Sequence, residues 1–377
     1  MAEAKKLSGA GLRGQSAGET ALCTVGKTGA GLTYRGYDMA QLAEKAQFEE
    51  VAYLLSKGKL PNKSELAAYV AKLKSLRSLP DALKTVLENI PKDAHPMDVM
   101  RTGCSMLGNL ETEQSFDEQL DHIDRMLAVF PSIICYWYRF SHDGVRIDTQ
   151  AADIDSIGGH FLTLLHDKAP SALHEKVMNA SLILYAEHEF NASTFTARVC
   201  ASTLSDIHSC VSAAIGSLRG PLHGGANEAA MELIESMKDP EQAEEQIMAM
   251  LARKDKIMGF GHAIYSTSDP RNAIIKQWSE KLSEDVGNRN LYEISARVEA
   301  VMWREKKLFC NADFFHASAY NFMSIPTKLF TPIFVCSRVS GWTAHVMEQR
   351  ANNRIIRPSA DYTGPESATW VALEDRA

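Results

Sequence analysis

The sequence predicts an all-α protein of two domains with one short β-hairpin near the N-terminus. Apolar residues recur at three- and four-residue steps through most of the 377-residue chain, and a convincing strand pattern occurs in one place only. A chain of this length is longer than one simple core usually requires, which favours two domains. Because the predicted strands are too few for an α/β sheet, we expect helices to build both domains.

The individual elements follow from local patterns. Residues 1–18 are rich in Gly and Ala and are expected to form a loose arm. Residues 20–37 carry Thr, Val and Tyr between glycines, which is the pattern of a β-hairpin. Asp239 and Asp269 each precede a proline, and this dipeptide predicts a helix N-terminus. In residues 286–308, apolar side chains recur with helical spacing and charges lie between them, which predicts an amphipathic helix.

Glycines and prolines mark the expected domain boundaries. Glycines cluster at 216–225 and 259–261, and Pro326 follows later. The span between these boundaries holds most of the unusual polar residues, which predicts a cleft between the domains. The predicted small domain comprises residues 221–326, and the predicted large domain comprises residues 1–220 plus 327–377.

Composition and charge exclude several classes of protein. Hydrophobic residues make up 45% of the chain and charged residues 23%, as in ordinary globular proteins. No apolar run approaches the roughly 20 residues that span a bilayer. Residues 1–14 lack the apolar block of a secretory signal, so we expect a cytoplasmic protein that does not contact membranes. The net charge of −7 argues against nucleic-acid binding.

Known cofactor and metal motifs are missing from the sequence. The seven cysteines form no Cys-x-x-Cys pair, which argues against a zinc ribbon or a disulfide framework. The stretch Gly29-Ala-Gly31 lacks the third glycine of a dinucleotide fingerprint, and His188-Glu189 is not part of an H-E-x-x-H motif. No histidine shows a clear metal-ligand spacing with a carboxylate. We therefore expect neither a cofactor nor a metal.

Three histidines stand in unusual contexts. His223 and His262 lie beside glycines, which let the backbone and a ligand approach closely. His188 precedes a run of Asn, Ser and Thr. For any single histidine, a purely structural role is the more common alternative.

One carboxylate and three arginines complete the candidates. Asp313 lies among aromatic residues, where an apolar environment would raise its pKa and make it a usable base. The alternative is a capping Asp on a helix that starts near Asn311. Arg271 lies at a predicted helix N-terminus, where a guanidinium suits a dicarboxylate, while Arg338 and Arg357 lie in the last segment. Each arginine could instead be a solvated surface group, so residue types alone predict an anion-binding cleft and no particular reaction.

Five separated motifs nevertheless resemble one family. The segment Glu187 to Arg198 is similar to the oxaloacetate-binding segment of the citrate synthase family, and the resemblance extends from Gly18 to Pro358. The motifs occur in the family's order along nearly the whole chain. Those that resemble its catalytic segments are Gly220-Pro-Leu-His-Gly-Gly-Ala-Asn227, Gly259-Phe-Gly-His262 with Asp269-Pro-Arg271, and Asn311-Ala-Asp313-Phe.

The resemblance implies a role for each matching position. Asp313 would take the α-proton of an acyl-CoA, His223 would donate to the enolate oxygen, and His262 would act on the oxaloacetate carbonyl. The residues implied to bind oxaloacetate are His188, Arg271, Arg338 and Arg357, the last from the partner subunit. The residues implied to bind CoA are Lys256, Ile257, Met258, Gly259 and Phe260, and Lys72 loosely matches a substrate-contacting lysine.

The resemblance also implies a homodimer with one large and one small domain. The large domain would carry the dimer contacts and part of the oxaloacetate site, and the small domain would carry the catalytic and CoA-binding segments. The small domain should close over oxaloacetate before acyl-CoA binds.

The stretch Tyr185 to Asn191 is most similar to bacterial family members that use propionyl-CoA. The alternative substrate is acetyl-CoA. A remote alternative function is that of a non-catalytic protein that binds CoA or a dicarboxylate. Ala263 and His316 depart from residues common in the family, and both flank active-site positions.

Overall fold

The computed structural model describes Leu12 and residues 15–26, 31–151 and 153–376. Within these ranges helices dominate, and three short strands and one isolated β-bridge are the β-structure present, which confirms the predicted all-α class. None of the described helices is both long and apolar enough to cross a membrane. The helices are α1 (Met39–Lys45), α2 (Phe48–Lys57), α3 (Lys63–Ser75), α4 (Asp81–Glu88), α5 (Pro96–Leu110), α6 (Gln119–Tyr138), α7 (Ile157–His166), α8 (Ala172–Tyr185), α9 (Ala192–Ser202), α10 (Ile207–Leu218), α11 (Ala226–Glu235), α12 (Pro240–Arg253), α13 (Pro270–Asp285), α14 (Asn290–Lys306), α15 (Ala312–Phe322) and α16 (Phe330–Ala351).

The predicted hairpin is present. Strands β1 (Cys23–Val25) and β2 (Leu32–Tyr34) pair antiparallel, with Cys23 opposite Tyr34, and a third strand, β3 (Tyr37–Asp38), pairs with β2. The buried Tyr34 hydroxyl donates to the carbonyl oxygen of Ile183 at 2.9 Å, which fastens the hairpin to α8. The hairpin turn and most of the predicted loose arm lie outside the described residues.

The helix starts agree with the predicted caps. The Asp239 carboxylate accepts a hydrogen bond from the backbone N–H of Gln242 at 2.8 Å at the start of α12. The Asp269 carboxylate accepts from the backbone N–H of Arg271 at 3.0 Å at the start of α13. The amphipathic helix predicted within residues 286–308 is α14.

Helix α16 is a central helix of the fold. It is buried along most of its length and packs against α6, α8 and α9. Gly341 lets the chain just after α8 lie directly on α16, because a Cβ there would collide with the Ala186 carbonyl and the Glu187 carboxylate. This close approach brings the end of α8 against the residues that α16 contributes to the site.

The helices from α11 to α15 pack mainly among themselves. Helix α13 lies against α15, α12 against α14, and α11 against α15. Their shared core includes Phe314, Phe315, Ile275 and Leu282. The predicted domain boundaries near residues 221 and 326 stay predictions.

Candidate active site

Backbone hydrogen bonds join the segments that carry His262 and Asp313. The N–H of Asn311 donates to the Gly259 carbonyl at 2.9 Å, and the N–H of Gly261 donates to the Phe309 carbonyl at 2.8 Å. Gly259 has a φ of +85°, and a Cβ there would lie 2.8 Å from a ring carbon of Phe314. Glycine is therefore required at this crossing, which places His262 and Asp313 on neighbouring segments.

Asp313 lies in the first turn of α15 with its carboxylate directed into the protein. Asn311 caps the helix by accepting from the Asp313 N–H at 3.1 Å, so the capping role that was the alternative for Asp313 belongs to Asn311. The Tyr185 hydroxyl donates to Asp313 Oδ1 at 2.6 Å. Burial raises the pKa of Asp313, while the Tyr185 hydrogen bond and the charge of Arg271 partly oppose the rise.

His262 is held as a neutral hydrogen-bond donor. Its Nδ1 accepts from the backbone N–H groups of Ile264 at 3.1 Å and Tyr265 at 3.2 Å. The ring proton must therefore reside on Nε2. Burial, and then the charge of Arg271, lower the pKa of His262 to about 4, so the imidazole is uncharged near neutral pH.

His188 and Tyr265 surround His262. The ring of His188 lies 5.0 Å from that of His262, and its Nε2 lies 3.2 Å from the Tyr265 hydroxyl. Burial, followed by the charge of Arg271, holds the pKa of His188 well below its usual value. The structure thus brings His188, His262 and Arg271 together.

His223 is positioned by the start of α9. The backbone N–H of Ser193 donates to His223 Nε2 at 3.3 Å, and the Ser193 hydroxyl lies 2.8 Å from the same nitrogen. Trp342 on α16 fixes that hydroxyl by donating to it at 3.0 Å. With Nε2 as the acceptor, Nδ1 carries the proton and can donate to a ligand. Burial, and then Arg338, lower the pKa of His223 to about 4.

Arg271 is buried in a bidentate ion pair. Its Nε and Nη2 donate to the Asp269 carboxylate at 3.0 and 2.8 Å, and Asp269 also accepts the Ala312 N–H at 3.0 Å. Burial alone would lower the pKa of Arg271, but Asp269 raises it above its ordinary value. The same carboxylate therefore holds the arginine and the start of the helix that carries Asp313.

Arg338 is also buried, but no carboxylate lies within ion-pair distance of it in the described part of the chain. Its Nε donates to the Tyr185 carbonyl at 2.6 Å, and its guanidinium lies 4.7 Å from the centre of the Phe334 ring. Burial lowers the pKa of Arg338, and the charge of Glu187 partly opposes this. A buried cation without a carboxylate at ion-pair distance suits an anionic ligand.

Two candidates lie apart from this group. Arg357 is exposed in the segment that follows α16. Lys72 on α3 forms ion pairs of 2.7 Å with both Asp121 and Asp124 of α6, neither of which is a candidate site residue. The roles of Arg357 and Lys72 stay predictions.

The predicted CoA segment lies beside the catalytic candidates. Lys256 is exposed, Ile257 and Gly259 are buried, and Met258 and Phe260 are half-buried. The Phe260 ring lies 4.7 Å from that of Phe314, the residue that follows Asp313. The structure thus brings this segment to Asp313, while its contact with CoA stays a prediction.

Three contributors were not identified from the sequence. Tyr185 lies in the subfamily stretch, Ser193 in the segment that resembles the oxaloacetate-binding segment, and Asp269 in the motif with Arg271, but the motifs assign none of them a contact in the site. The polar run at the start of α9 was an available signal for Ser193. The contact between Tyr185 and Asp313 joins residues 128 positions apart and left no local signal.

Comparisons with known proteins point to one family. The family model described as the C-terminal domain of citrate synthase matches residues 11–359. A protein named 2-methylcitrate synthase from Shewanella oneidensis is 74% identical over 376 residues, covering 100% of both chains. Citrate synthase 2 of Bacillus subtilis is 44% identical, covering 92% of this chain and 94% of its own.

A solved structure supports the same assignment. The citrate synthase of Thermoplasma acidophilum, in a ternary complex with carboxymethyl coenzyme A and oxaloacetate, superposes with a TM-score of 0.90 at 32% identity. The match covers 97% of this chain and 98% of the other. The described residues hold no cluster of three His, Cys, Asp or Glu side chains that could bind a metal ion. Sequence, fold and site together show that this chain belongs to the citrate synthase family.

Proposed function

We propose that this protein condenses propionyl-CoA with oxaloacetate and water to give 2-methylcitrate and free CoA. The full-length identity of 74% to a named 2-methylcitrate synthase supports this substrate choice. The observation that carries the chemistry is that His223, His262 and Asp313 each lie close enough to one or both of two buried arginines to be influenced by their charge. Arg271 influences the pKa of His262 and Asp313, and Arg338 influences that of His223 and Asp313.

Proton removal begins the reaction. The α-C–H of a thioester is a very weak acid, so a base and an oxyanion donor must act together where bulk water is excluded. Asp313 takes the α-proton, and its raised pKa makes it a stronger base than an exposed carboxylate. The N–H at Nδ1 of His223 stabilises the negative charge that develops on the thioester oxygen.

Carbon–carbon bond formation follows. The nucleophilic α-carbon attacks the ketone carbon of oxaloacetate, and the N–H at Nε2 of His262 donates to the oxygen that becomes the alkoxide. Arg271, Arg338 and His188 bind and orient the oxaloacetate carboxylates and carbonyl. Water then hydrolyses the thioester, which releases CoA and makes the reaction irreversible. Neither a metal nor a cofactor is needed in this scheme.

Acetyl-CoA is the competing substrate, because the similarity to Citrate synthase 2 favours it. The two acyl groups differ by one methylene, which an apolar pocket distinguishes by about 1–3 kcal/mol. We therefore expect side activity as a citrate synthase. A panel of acetyl-, propionyl- and butyryl-CoA, assayed by thiol release with and without oxaloacetate, should give the highest kcat/KM with propionyl-CoA. A higher value with acetyl-CoA would reject the substrate, and thiol release independent of oxaloacetate would reject the condensation.

The base is tested separately. Asp313→Asn should bind oxaloacetate normally and lose turnover, and retention of more than about a tenth of kcat would reject the assignment. Asp98→Asn is a matched control, because Asp98 is also a first-turn carboxylate, on α5, and forms surface ion pairs with Arg101 and Arg219. It should leave kcat unchanged.

We also propose a homodimer in which Arg357 completes the partner's oxaloacetate site. Its exposure in the segment after α16 supports this arrangement, as do the exposed side chains of Ile355 and Trp370 in the same segment. Mixing inactive Arg357→Ala and Asp313→Asn proteins should restore activity, because a mixed dimer regains one intact site. Activity that stays absent in verified mixed dimers would place Arg357 outside the partner's site. The cytoplasmic location is proposed from the sequence alone.

A further inference from the structure

The ring of Tyr185 is enclosed on both faces by aromatic rings from two other helices. Phe334 of α16 stacks on one face with a centroid distance of 4.1 Å and an interplanar angle of 27°. His316 of α15 lies against Tyr185 at 4.2 Å and 31°. Arg338 donates to the Tyr185 carbonyl at 2.6 Å, so the backbone is held as well. The rings therefore determine where the Tyr185 hydroxyl points.

His316 is itself fixed in place. Its Nδ1–H donates to the Ala312 carbonyl at 2.6 Å, and its ring packs edge-on against Tyr320 at 5.5 Å. The side chain is fully buried, and its Nε2 has no hydrogen-bond partner among the described residues. A buried unpaired acceptor is unfavourable, so satisfaction of its polar atoms does not explain a histidine here. The contacts that remain are the ring face against Tyr185 and the edge contact with Tyr320, and the Tyr185 contact is the closer of the two.

We propose that His316 is a positioning residue which, with Phe334, clamps the ring of Tyr185 and so keeps its hydroxyl on the carboxylate of Asp313. This inference rests on the proposed role of Asp313 as the base. His316 lies one helical turn after Asp313 on α15, so one helix supplies both the base and the ring that holds the base's hydrogen-bond partner. Burial lowers the pKa of His316 to about 3, so the ring stays neutral and acts through shape alone at working pH.

The hydrogen bond from Tyr185 stabilises the ionised form of Asp313, and its loss should raise the pKa of that carboxyl. The other charged groups that act on Asp313 are Arg271 and Asp269 at the start of α13 and Arg338 on α16. Arg271 and Asp269 also act electrostatically on His316, but Tyr185 contacts both the His316 ring and the Asp313 carboxylate. A change at His316 should therefore reach the pKa of Asp313 through Tyr185.

The test is the acid limb of the pH profile of kcat/KM for propionyl-CoA at saturating oxaloacetate, which reports groups of the enzyme–oxaloacetate complex. Tyr185→Phe should move this limb up by about 1 pH unit, since a charge-assisted hydrogen bond is lost. His316→Ser should move it up by about half a unit and lower kcat about fivefold, while the KM for oxaloacetate stays within about twofold. His316→Leu, which fills the space without an aromatic face, should do the same if the Ser variant folds poorly.

The double variant Tyr185→Phe/His316→Ser should show no shift beyond that of Tyr185→Phe, because the ring then has no hydroxyl to position. His316→Phe restores the aromatic face and should return the limb close to its native position. Tyr320→Phe is the matched structural control. It removes the hydroxyl that lies 2.5 Å from the Ser181 hydroxyl but keeps the ring that packs against His316, and it should leave the limb in place.

Three results would overturn the proposal: a fixed acid limb in both His316→Ser and His316→Leu, additive shifts in the double variant, or an equal shift in Tyr320→Phe. Failure of the proposed function looks different. In that case Asp313→Asn retains turnover, whatever residue stands at position 316.

Discussion

Two buried arginines lie at the same site, and they differ in whether a carboxylate among the described residues pairs with them. Arg271 at the start of α13 donates two hydrogen bonds to Asp269, so its charge is already neutralised in the free protein. Arg338 on α16 donates its Nε–H to a backbone carbonyl, and no carboxylate lies within ion-pair distance of it among the described residues. Both residues are at most 6% exposed, so burial does not distinguish them.

The difference separates stability from ligand binding. A buried ion pair that loses one partner leaves an uncompensated charge, which is strongly destabilising. A buried cation without a carboxylate partner instead opposes folding until an anion arrives. We therefore infer that Arg271, besides its proposed role in binding oxaloacetate, holds the starts of α13 and α15 together, whereas Arg338 keeps an unneutralised charge for the substrate.

The largest expected effect is on stability at Arg271. Arg271→Leu should lower the free energy of unfolding by about 3–5 kcal/mol, because Asp269 would remain buried and charged. Adding Asp269→Asn should recover most of this loss, since Asn keeps an acceptor for the Ala312 N–H while removing the charge. Urea unfolding at one fixed protein concentration measures both variants.

The matched control for this prediction is Arg253→Leu. Arg253 pairs with Asp255, also two residues away, but the two side chains are 61% and 41% exposed. Removal of a surface pair should change the free energy of unfolding by less than about 1 kcal/mol. Equal losses in Arg271→Leu and Arg253→Leu would show that Asp269 does not depend on Arg271.

The next effect is on substrate affinity at Arg338. Arg338→Leu should raise the Kd for oxaloacetate about 10- to 100-fold, as expected when charge-assisted hydrogen bonds are lost. Its stability loss should be smaller than that of Arg271→Leu, about 2 kcal/mol or less, because relief of the buried charge offsets the loss of the donor to the Tyr185 carbonyl. Calorimetric titration and urea unfolding measure the two quantities.

Arg139→Leu serves as the control for affinity. Arg139 is buried and also donates to backbone carbonyls, those of Leu164 and Leu165, but it lies among other helices. Its loss should leave the Kd for oxaloacetate unchanged. A stability loss at Arg338 as large as that at Arg271, with unchanged affinity, would reverse the comparison.

The comparison also shows what could be predicted from the sequence. Helical spacing and Asp-Pro dipeptides predicted α12, α13 and α14, because their local patterns are strong enough to determine secondary structure without tertiary contacts. The Asp269-Pro-Arg271 motif likewise places the capping carboxylate of Asp269 two residues before the guanidinium of Arg271. Their ion pair is local, so a sequence-based argument could have found it.

The environment of Arg338 depends on packing and could not be predicted in this way. Whether a carboxylate neutralises it depends on how α16 lies against α8, which is determined by the close approach at Gly341. The stack of His316, Tyr185 and Phe334 likewise depends on packing, because its three rings come from three separate helices. Motifs identified the candidate residues, but the charge balance around them arises from contacts between distant segments.

The smallest expected effect is a change in the titration of His223. In the folded protein the pKa of this ring is about 4, owing first to burial and then to Arg338, whereas an unfolded histidine titrates near 6.5. The unfolded state therefore binds more protons below pH 6.5, and the free energy of unfolding should fall as pH drops from about 6.5 to 4. Arg338→Leu removes one cause and should raise the pKa of His223 by about half a unit, since burial remains.

NMR titration of the histidine ring protons can separate the two arginines. The pKa of His262 is lowered by burial and by Arg271, so it should stay near 4 in Arg338→Leu. His160, whose pKa of about 3 reflects burial and Arg77, is a second internal reference. If the pKa of His262 rose as far as that of His223, the two arginines would act on the site as one charged group. The distinction between an arginine that also stabilises the fold and one that serves the substrate alone would then be wrong.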